Sequence, residues 1–117
     1  MVGVRFDLRP VDPPAWADHD LVVEVRGEVD SSNAIDFDRA LTDLGGSRPL
    51  VLDLSMTSFF DSAGFAALDR VLDRGRTCIV ISPTGLVRKA ATILGVPFHD
   101  TIEDARQTLA ARGRPGA

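Results

Sequence analysis

Across 117 residues the chain holds one cysteine, Cys78, two histidines, His19 and His99, and one lysine, Lys89. A lone thiol excludes a disulfide framework and any cysteine-based zinc site, and two histidines are too few for a histidine-rich metal centre. Asp53 closes the apolar run Leu50–Leu54, where a phosphoacceptor domain of receiver type carries its aspartate. That chemistry also needs an acidic pair at the first strand end to hold Mg²⁺ and a lysine after the last strand, whereas Lys89 falls inside a predicted helix. Ser62 stands between a strand and a helix, as a hydrolase nucleophile does. The nucleophile elbow needs Gly-x-Ser-x-Gly, and here the run is Phe60-Asp61-Ser62-Ala63-Gly64, with only His99 downstream as a base and no evident orienter for it. Neither a Gly-x-Gly-x-x-Gly turn nor a Walker loop is present. Cys78, between Thr77 and Ile79, reads as a small buried hydrophobe.

The remaining reactive group is the Ser62 hydroxyl. It reads as the N-cap of a helix beginning Ala63-Gly64, accepting a backbone N–H two or three residues on. The absence of a side chain at Gly64 is expected to let a second protein approach closely. A phosphate on Ser62 suits a helix N-terminus, whose free N–H groups and dipole favour an anion. It would add roughly −1.5 to −2 charges beside Asp61.

Around this serine the hydropathy pattern alternates strand and helix. Val4, Phe6 and Leu8 form a half-buried strand, and 10–20, with three prolines, Trp16 and His19, reads as a loop. Leu21, Val23 and Val25 form a second strand, ended by Gly27; the short connection predicts an antiparallel pair. Ser31 or Ser32 caps a helix with Ala34, Phe37, Leu41 and Leu44 inward and Asp36, Arg39 and Asp43 outward, stopped at Gly45-Gly46. Leu50–Leu54 reads as a strand covered on both faces. A helix from about Ala63 to Arg74 buries Phe65, Leu68 and Leu72. Cys78–Ile81 is another covered strand. Ser82-Pro83-Thr84 opens a helix with Leu86, Ala90 and Ile93 on its inner face, closed by Gly95. After a short extended piece at Phe98, Asp100 and Glu103 form a capping-box-like start to a last helix carrying Ile102, Ala105 and Leu109. The predicted class is α/β, with a mixed, mainly parallel sheet of four to five strands and about four helices. One domain spans 1–117, with its core at about 4–111 and 112–117 as a flexible tail. Function in such sheets gathers at strand ends, here Gly27–Ser32, Ser55–Gly64 and Ser82–Gly85.

Composition agrees with a single globular domain: 44% hydrophobic, 26% charged, net charge −4. The charge is uneven. Residues 1–73 carry 14 acidic and 6 basic side chains, and residues 74–117 carry 3 and 7, so −8 meets +4. This acidity argues against a nucleic-acid partner, and no apolar run is long enough to span a membrane. A soluble, cytoplasmic, non-enzymatic module is expected, with no cofactor and no metal.

Val51-Leu52-Asp53-Leu54-Ser55 followed by Phe59-Phe60-Asp61-Ser62-Ala63-Gly64 resembles the strand, loop and Asp-Ser-x-Gly motif of STAS domains of the anti-sigma factor antagonist type. Gly27-Glu28-Val29-Asp30, the stretch Ser82-Pro83 with Val87-Arg88-Lys89 and Leu94-Gly95-Val96, and Phe98–Leu109 agree with that family in order and spacing, so the likeness covers about Val4 to Ala111. The resemblance implies the STAS fold and a partner-switching role. An anti-sigma factor with a histidine-kinase-like ATPase fold binds the unmodified domain, frees its sigma factor, and acts as a serine kinase on the motif serine, here Ser62. Phosphorylation ends the binding, and a PP2C-type phosphatase reverses it. The implied contact surface is Asp30, Ser31, Asp61, Ala63, Gly64 and Phe65 around Ser62. Ala63 replaces a second serine common in the motif, and Phe65 and Ala66 stand where leucine and glycine are common. The competing expectation is a STAS module that senses or scaffolds without phosphorylation, through a small ligand or a redox gate at Cys78.

Overall fold

The computed structural model describes residues 6–11, 20–45, 48–74 and 76–112. Val4, Trp16, His19, Gly46 and the segment 113–117 lie outside the described residues. The elements run β1 (Phe6–Pro10), β2 (Leu21–Val29), α1 (Ala34–Gly45), β3 (Leu50–Asp53), β4 (Thr57–Phe60), α2 (Ser62–Asp73), β5 (Thr77–Val80), α3 (Arg88–Leu94) and α4 (Ile102–Arg112). The sheet order is β1-β2-β3-β5, with β4 also paired to β2. β1 pairs β2 antiparallel, and every other strand pair is parallel, as the alternation predicts. His99 adds one parallel bridge to Val80.

Gly27 does not end β2. Its φ of 96° is a backbone state that costs a glycine little, and the strand continues to Val29; the bulge opposite it lies on β4, where Ser58 is the extra residue between Thr57 and Phe59. One strand thereby serves two partners: Leu21–Glu24 pair with β3, and Gly27–Val29 pair with β4, with a register shift between Gly27 and Glu28. β4 itself was not expected from the sequence. The Thr57 hydroxyl donates to the Val25 carbonyl (2.8 Å) and the Ser58 hydroxyl to the Gly27 carbonyl (2.9 Å), so side chains bond backbone acceptors where the ladder is interrupted.

Strand alternation divides the interior into two layers. Val23, Val25, Leu50, Leu52, Ile79 and Ile81 face α1, α2 and α3, packing against Phe37, Leu41, Phe65, Leu68, Val71, Val87 and Ala91. Val22, Val51, Cys78 and Val80 face the other way, beneath Ala105 and Leu109 of α4. Each buried Val, Leu or Phe contributes about 1.5–3 kcal/mol by leaving water. Four phenylalanine rings cross the larger layer in sequence: Phe6 to Phe37 (5.5 Å), Phe37 to Phe60 (5.6 Å) and Phe60 to Phe65 (5.3 Å). On the surface, Asp38 of α1 accepts from Arg70 and Arg74 of α2 at 3.1 and 2.6 Å. Burial pushes the Asp38 carboxyl up, but the two guanidinium groups outweigh that and hold it below the usual range.

The starts of α1, α3 and α4 and one helix face differ from expectation. α3 begins at Arg88 and not at Ser82-Pro83-Thr84, and the expected inward stripe is turned out: Leu86, in the turn before the helix, is 74% and Ile93 73% exposed, while Val87 and Ala91 are buried and Ala90 is half-buried. Arg88 fixes this rotation. Its guanidinium donates to the Ile81 carbonyl (2.8 Å) and to Asp100 (2.7 Å) and lies 4.8 Å over the Phe98 ring. Because Asp100 is engaged there, α4 is capped by Thr101, whose Oγ1 accepts the Asp104 N–H at 3.1 Å. The α1 entry is governed by Asp30 rather than by Ser31 or Ser32: its carbonyl accepts the Ala34 N–H, and its carboxylate accepts the Ser32 N–H. Gly95 closes α3 in the left-handed conformation, as predicted. No helix among the described residues is long and apolar enough to cross a membrane.

Candidate functional site

The three strand-end segments named from the sequence meet at one end of the sheet. Asp61 joins two of them. Its N–H donates to the Val29 carbonyl at 3.2 Å, extending the β2–β4 pairing by one bond. Its carboxylate then divides: Oδ1 accepts the Gly64 N–H at 2.9 Å and Oδ2 accepts the Ser31 N–H at 3.2 Å. With φ −95° and ψ −172°, Asp61 is the N-cap of α2, and Ser62, expected in that role, is the first residue of the helix. Either residue type caps well. The carboxylate has the advantage of two acceptor oxygens, and here both are used.

Moving the cap to Asp61 leaves Ser62 exposed, and its hydroxyl makes no hydrogen bond among the described residues. It sits on the first turn of α2, where backbone N–H groups lack intrahelical acceptors. The Phe65 N–H starts the helical ladder by donating to the Asp61 carbonyl at 2.9 Å.

Gly64 is needed for a reason other than access. It is buried, and a Cβ there would lie 2.6 Å from the Val29 carbonyl oxygen and 3.1 Å from the Phe60 ring. The absent side chain lets α2 pack against the end of β2; it does not open a path for a partner. Phe65, 5% exposed, belongs to the core beneath the site, and Ala63 is half-buried against the same core. Of the six expected contact residues, Asp30, Ser31, Asp61 and Ala63 keep accessible surface, while Gly64 and Phe65 support them from below.

The second segment is held by a residue that the sequence reading missed. Asn33, 4% exposed, accepts the Asp30 N–H on Oδ1 (2.9 Å) and donates from Nδ2 to the Glu28 carbonyl (3.0 Å). A signal was available: Asp30-Ser31-Ser32-Asn33 is a run of turn-forming side chains between a strand and a helix. The third segment is attached at Ser55, whose Oγ accepts the Ser82 N–H at 2.9 Å. Asp53, the aspartate of a receiver-type reading, accepts the Ser55 N–H at 3.0 Å and so shapes the β3–β4 turn.

The other singular side chains lie elsewhere. Cys78 is 3% exposed under α4, and burial pushes its thiol up, with Arg112 pulling down and Asp20 adding a smaller upward push. A protonated, covered thiol is a poor nucleophile, so the redox gate expected at Cys78 is not supported. His99 is half-buried and joins the sheet through its backbone, donating to the Ile79 carbonyl and accepting from the Ile81 N–H. Lys89 is exposed on α3. Among the described residues, no group of three His, Cys, Asp or Glu side chains converges as a metal site.

The family model described as the STAS domain matches residues 15–109. Solved structures share the fold. An anti-sigma factor antagonist from Mycobacterium paratuberculosis aligns with a TM-score of 0.72 at 24% identity, over 90% of this chain and 94% of its own. The STAS domain of an anti-sigma factor antagonist from Rhodobacter sphaeroides gives 0.52 at 21%, over 68% and 95%. The anti-sigma factor antagonist SpoIIAA in its unphosphorylated form gives 0.55 at 20%, over 93% and 99%.

Proposed function

Because this chain belongs to the STAS domain family, we propose that it is an anti-sigma factor antagonist switched by phosphorylation of Ser62. The unmodified domain binds an anti-sigma factor of histidine-kinase-like ATPase fold, and the sigma factor is freed. The same partner acts as a serine kinase on Ser62. The Ser62 Oγ–P bond forms as the bond between the β–γ bridging oxygen of ATP and the γ-phosphorus breaks; ADP leaves, and the hydroxyl proton passes to a base on the kinase. A PP2C-type phosphatase returns the serine. The domain performs no chemistry of its own, and its place of action is the cytoplasm, where sigma factors work.

The observation that carries this reading is an exposed Ser62 hydroxyl on the first turn of α2, beside an Asp61 whose carboxylate is tied to two backbone N–H groups. A phosphate there adds roughly −1.5 to −2 charges, and the helix start, with N–H groups that can donate to an anion, accommodates it without unfolding. Asp61 and Asp30 already make this end acidic, so a partner seated on it meets a bulky dianion where it had met a hydroxyl. A like-charge, partly desolvated contact of that kind costs several kcal/mol, or about 10²–10³-fold in affinity.

The test pairs the protein with the histidine-kinase-like ATP-binding proteins of its source organism and ATP, read by intact mass. Wild type gains one phosphate, and Ser62→Ala gains none. By calorimetry, Ser62→Ala retains binding and Ser62→Glu weakens it about 10²-fold, near 2.7 kcal/mol. Equal affinities for wild type, Ser62→Ala and Ser62→Glu would reject Ser62 as the switch.

A further inference from the structure

Leu86 and Ile93, predicted to face the core, are turned outward, and nothing among the described residues covers them. Leu86, Ile93 and Leu94 are 74%, 73% and 58% exposed. Ile93 and Leu94 stand at the C-terminal end of α3, and Leu86 in the turn that leads into it. Two more large apolar side chains are exposed at the strand-end site, Met56 at 56% and Phe59 at 45%. The two groups flank one seam. Ser82 donates to Ser55, and a Cβ at Gly85 would lie 3.6 Å from the Ser55 Cα, so the turn before Leu86 packs on the turn holding Met56. Phe59 is on the strand that leads into Asp61 and Ser62.

Five large side chains between 45% and 74% exposed reach the size of the largest apolar patch on an ordinary monomer, on the order of 300–600 Å². A stable complex needs about 800 Å² on each partner. The patch alone falls short of that, so its occupant must also cover polar surface beside it. Charge then selects the occupant. Glu28, Asp30 and Asp61 lie at the same end, so a two-fold pairing of identical copies across it would oppose carboxylates with carboxylates. A partner that is basic opposite the acidic loop and apolar opposite α3 meets no such conflict.

We propose that Leu86, Ile93 and Leu94, with Met56 and Phe59, form an apolar docking surface continuous with the Ser62 site. Its occupant is the anti-sigma factor itself, an identification that rests on the function proposed above. The apolar half supplies affinity in both states of the switch, and the acidic half around Ser62 supplies the discrimination between them.

The experiment measures binding of the organism's histidine-kinase-like ATP-binding proteins to the full chain by calorimetry, with sedimentation equilibrium of the chain alone. Leu86→Ser/Ile93→Ser changes only exposed positions, so its melting temperature should match wild type while its affinity falls at least tenfold. Met56→Ser/Phe59→Ser should weaken binding similarly, and Lys89→Ala, a polar change on the same helix, should leave it unaltered. Wild-type affinity in both double variants would overturn the docking surface while leaving the Ser62 switch intact. A self-association of the wild type that Leu86→Ser/Ile93→Ser abolishes would assign the surface to a second copy and overturn the stated occupant. Failure of every such protein to bind wild type would overturn the proposed function and this surface together.

Discussion

Ser62 and Cys78 each carry one reactive heteroatom, and the fold treats them in opposite ways. Ser62 stands on the first turn of α2, above a core layer that ends in Phe60 and Phe65, and Asp61 takes over the backbone hydrogen bonding that would otherwise occupy the hydroxyl. Cys78 sits within β5 between Val51 and Val80 and under α4, with its thiol pushed up by burial. An accessible, modifiable group thus depends on a neighbour that meets the local polar demands, so that the reactive atom need not. Cys78 has no such neighbour and fills space.

Three measurements bear on this contrast. The largest effect is kinetic. Native Cys78 should react with a disulfide reagent at least about 10³-fold more slowly than in the unfolded chain, because reaction waits for an opening that costs several kcal/mol. Mass-resolved labelling reads this directly, and fast native labelling would erase the distinction. Next, Gly64→Ala should destabilise by about 1–3 kcal/mol, because the new methyl meets the Val29 carbonyl backbone. That loss is expected despite the gain of up to about 1 kcal/mol that alanine brings to a helix. A raised urea midpoint would mean that β2 yields. The smallest change is at the cap. Asp61→Ala should cost about 0.5–2 kcal/mol and Asp61→Asn much less, since asparagine keeps an acceptor for the Gly64 N–H. Equal losses in thermal melts would show that charge, rather than hydrogen bonding, holds the two loops.

Most of the architecture was readable from period and punctuation. The covered strands Leu50–Asp53 and Thr77–Val80, the stripe Ala34-Phe37-Leu41 and the antiparallel first pair all follow from residue spacing. The misreadings share a cause: local patterns that permit two answers, settled by contacts far away in sequence. Asp61 and Ser62 are both good caps, and the choice depends on Ser31, thirty residues earlier. Across 86–94, Leu86-Ala90-Ile93 and Val87-Ala91 are both passable inward stripes; Arg88, bonded to Ile81 and Asp100, selects the second. Gly27 looks like a terminator until β4 appears beside it, and β4, as Thr57-Ser58-Phe59-Phe60, has no alternation of its own. Ser62 was found by motif; of the side chains that hold its surroundings, Asn33 was signalled only by the turn-forming run it ends, and the bonds of Ser55 and Thr57 run to backbone groups distant in sequence.

The row of phenylalanine rings from Phe6 through Phe37 and Phe60 to Phe65 has a consequence for how the molecule is assembled. Its members are dispersed along nearly sixty residues of chain, yet adjacent rings lie within 5.6 Å of each other. Contacts of such sequence separation form late and together, since each loop must close before its contact yields any gain. The first turn of α2 rests on the last of these rings, while the edge strand β1 contributes the first. A nascent or partly unfolded chain therefore does not offer Ser62 in its native setting, so under the proposed switch phosphorylation would report on completed folding as well as on the hydroxyl.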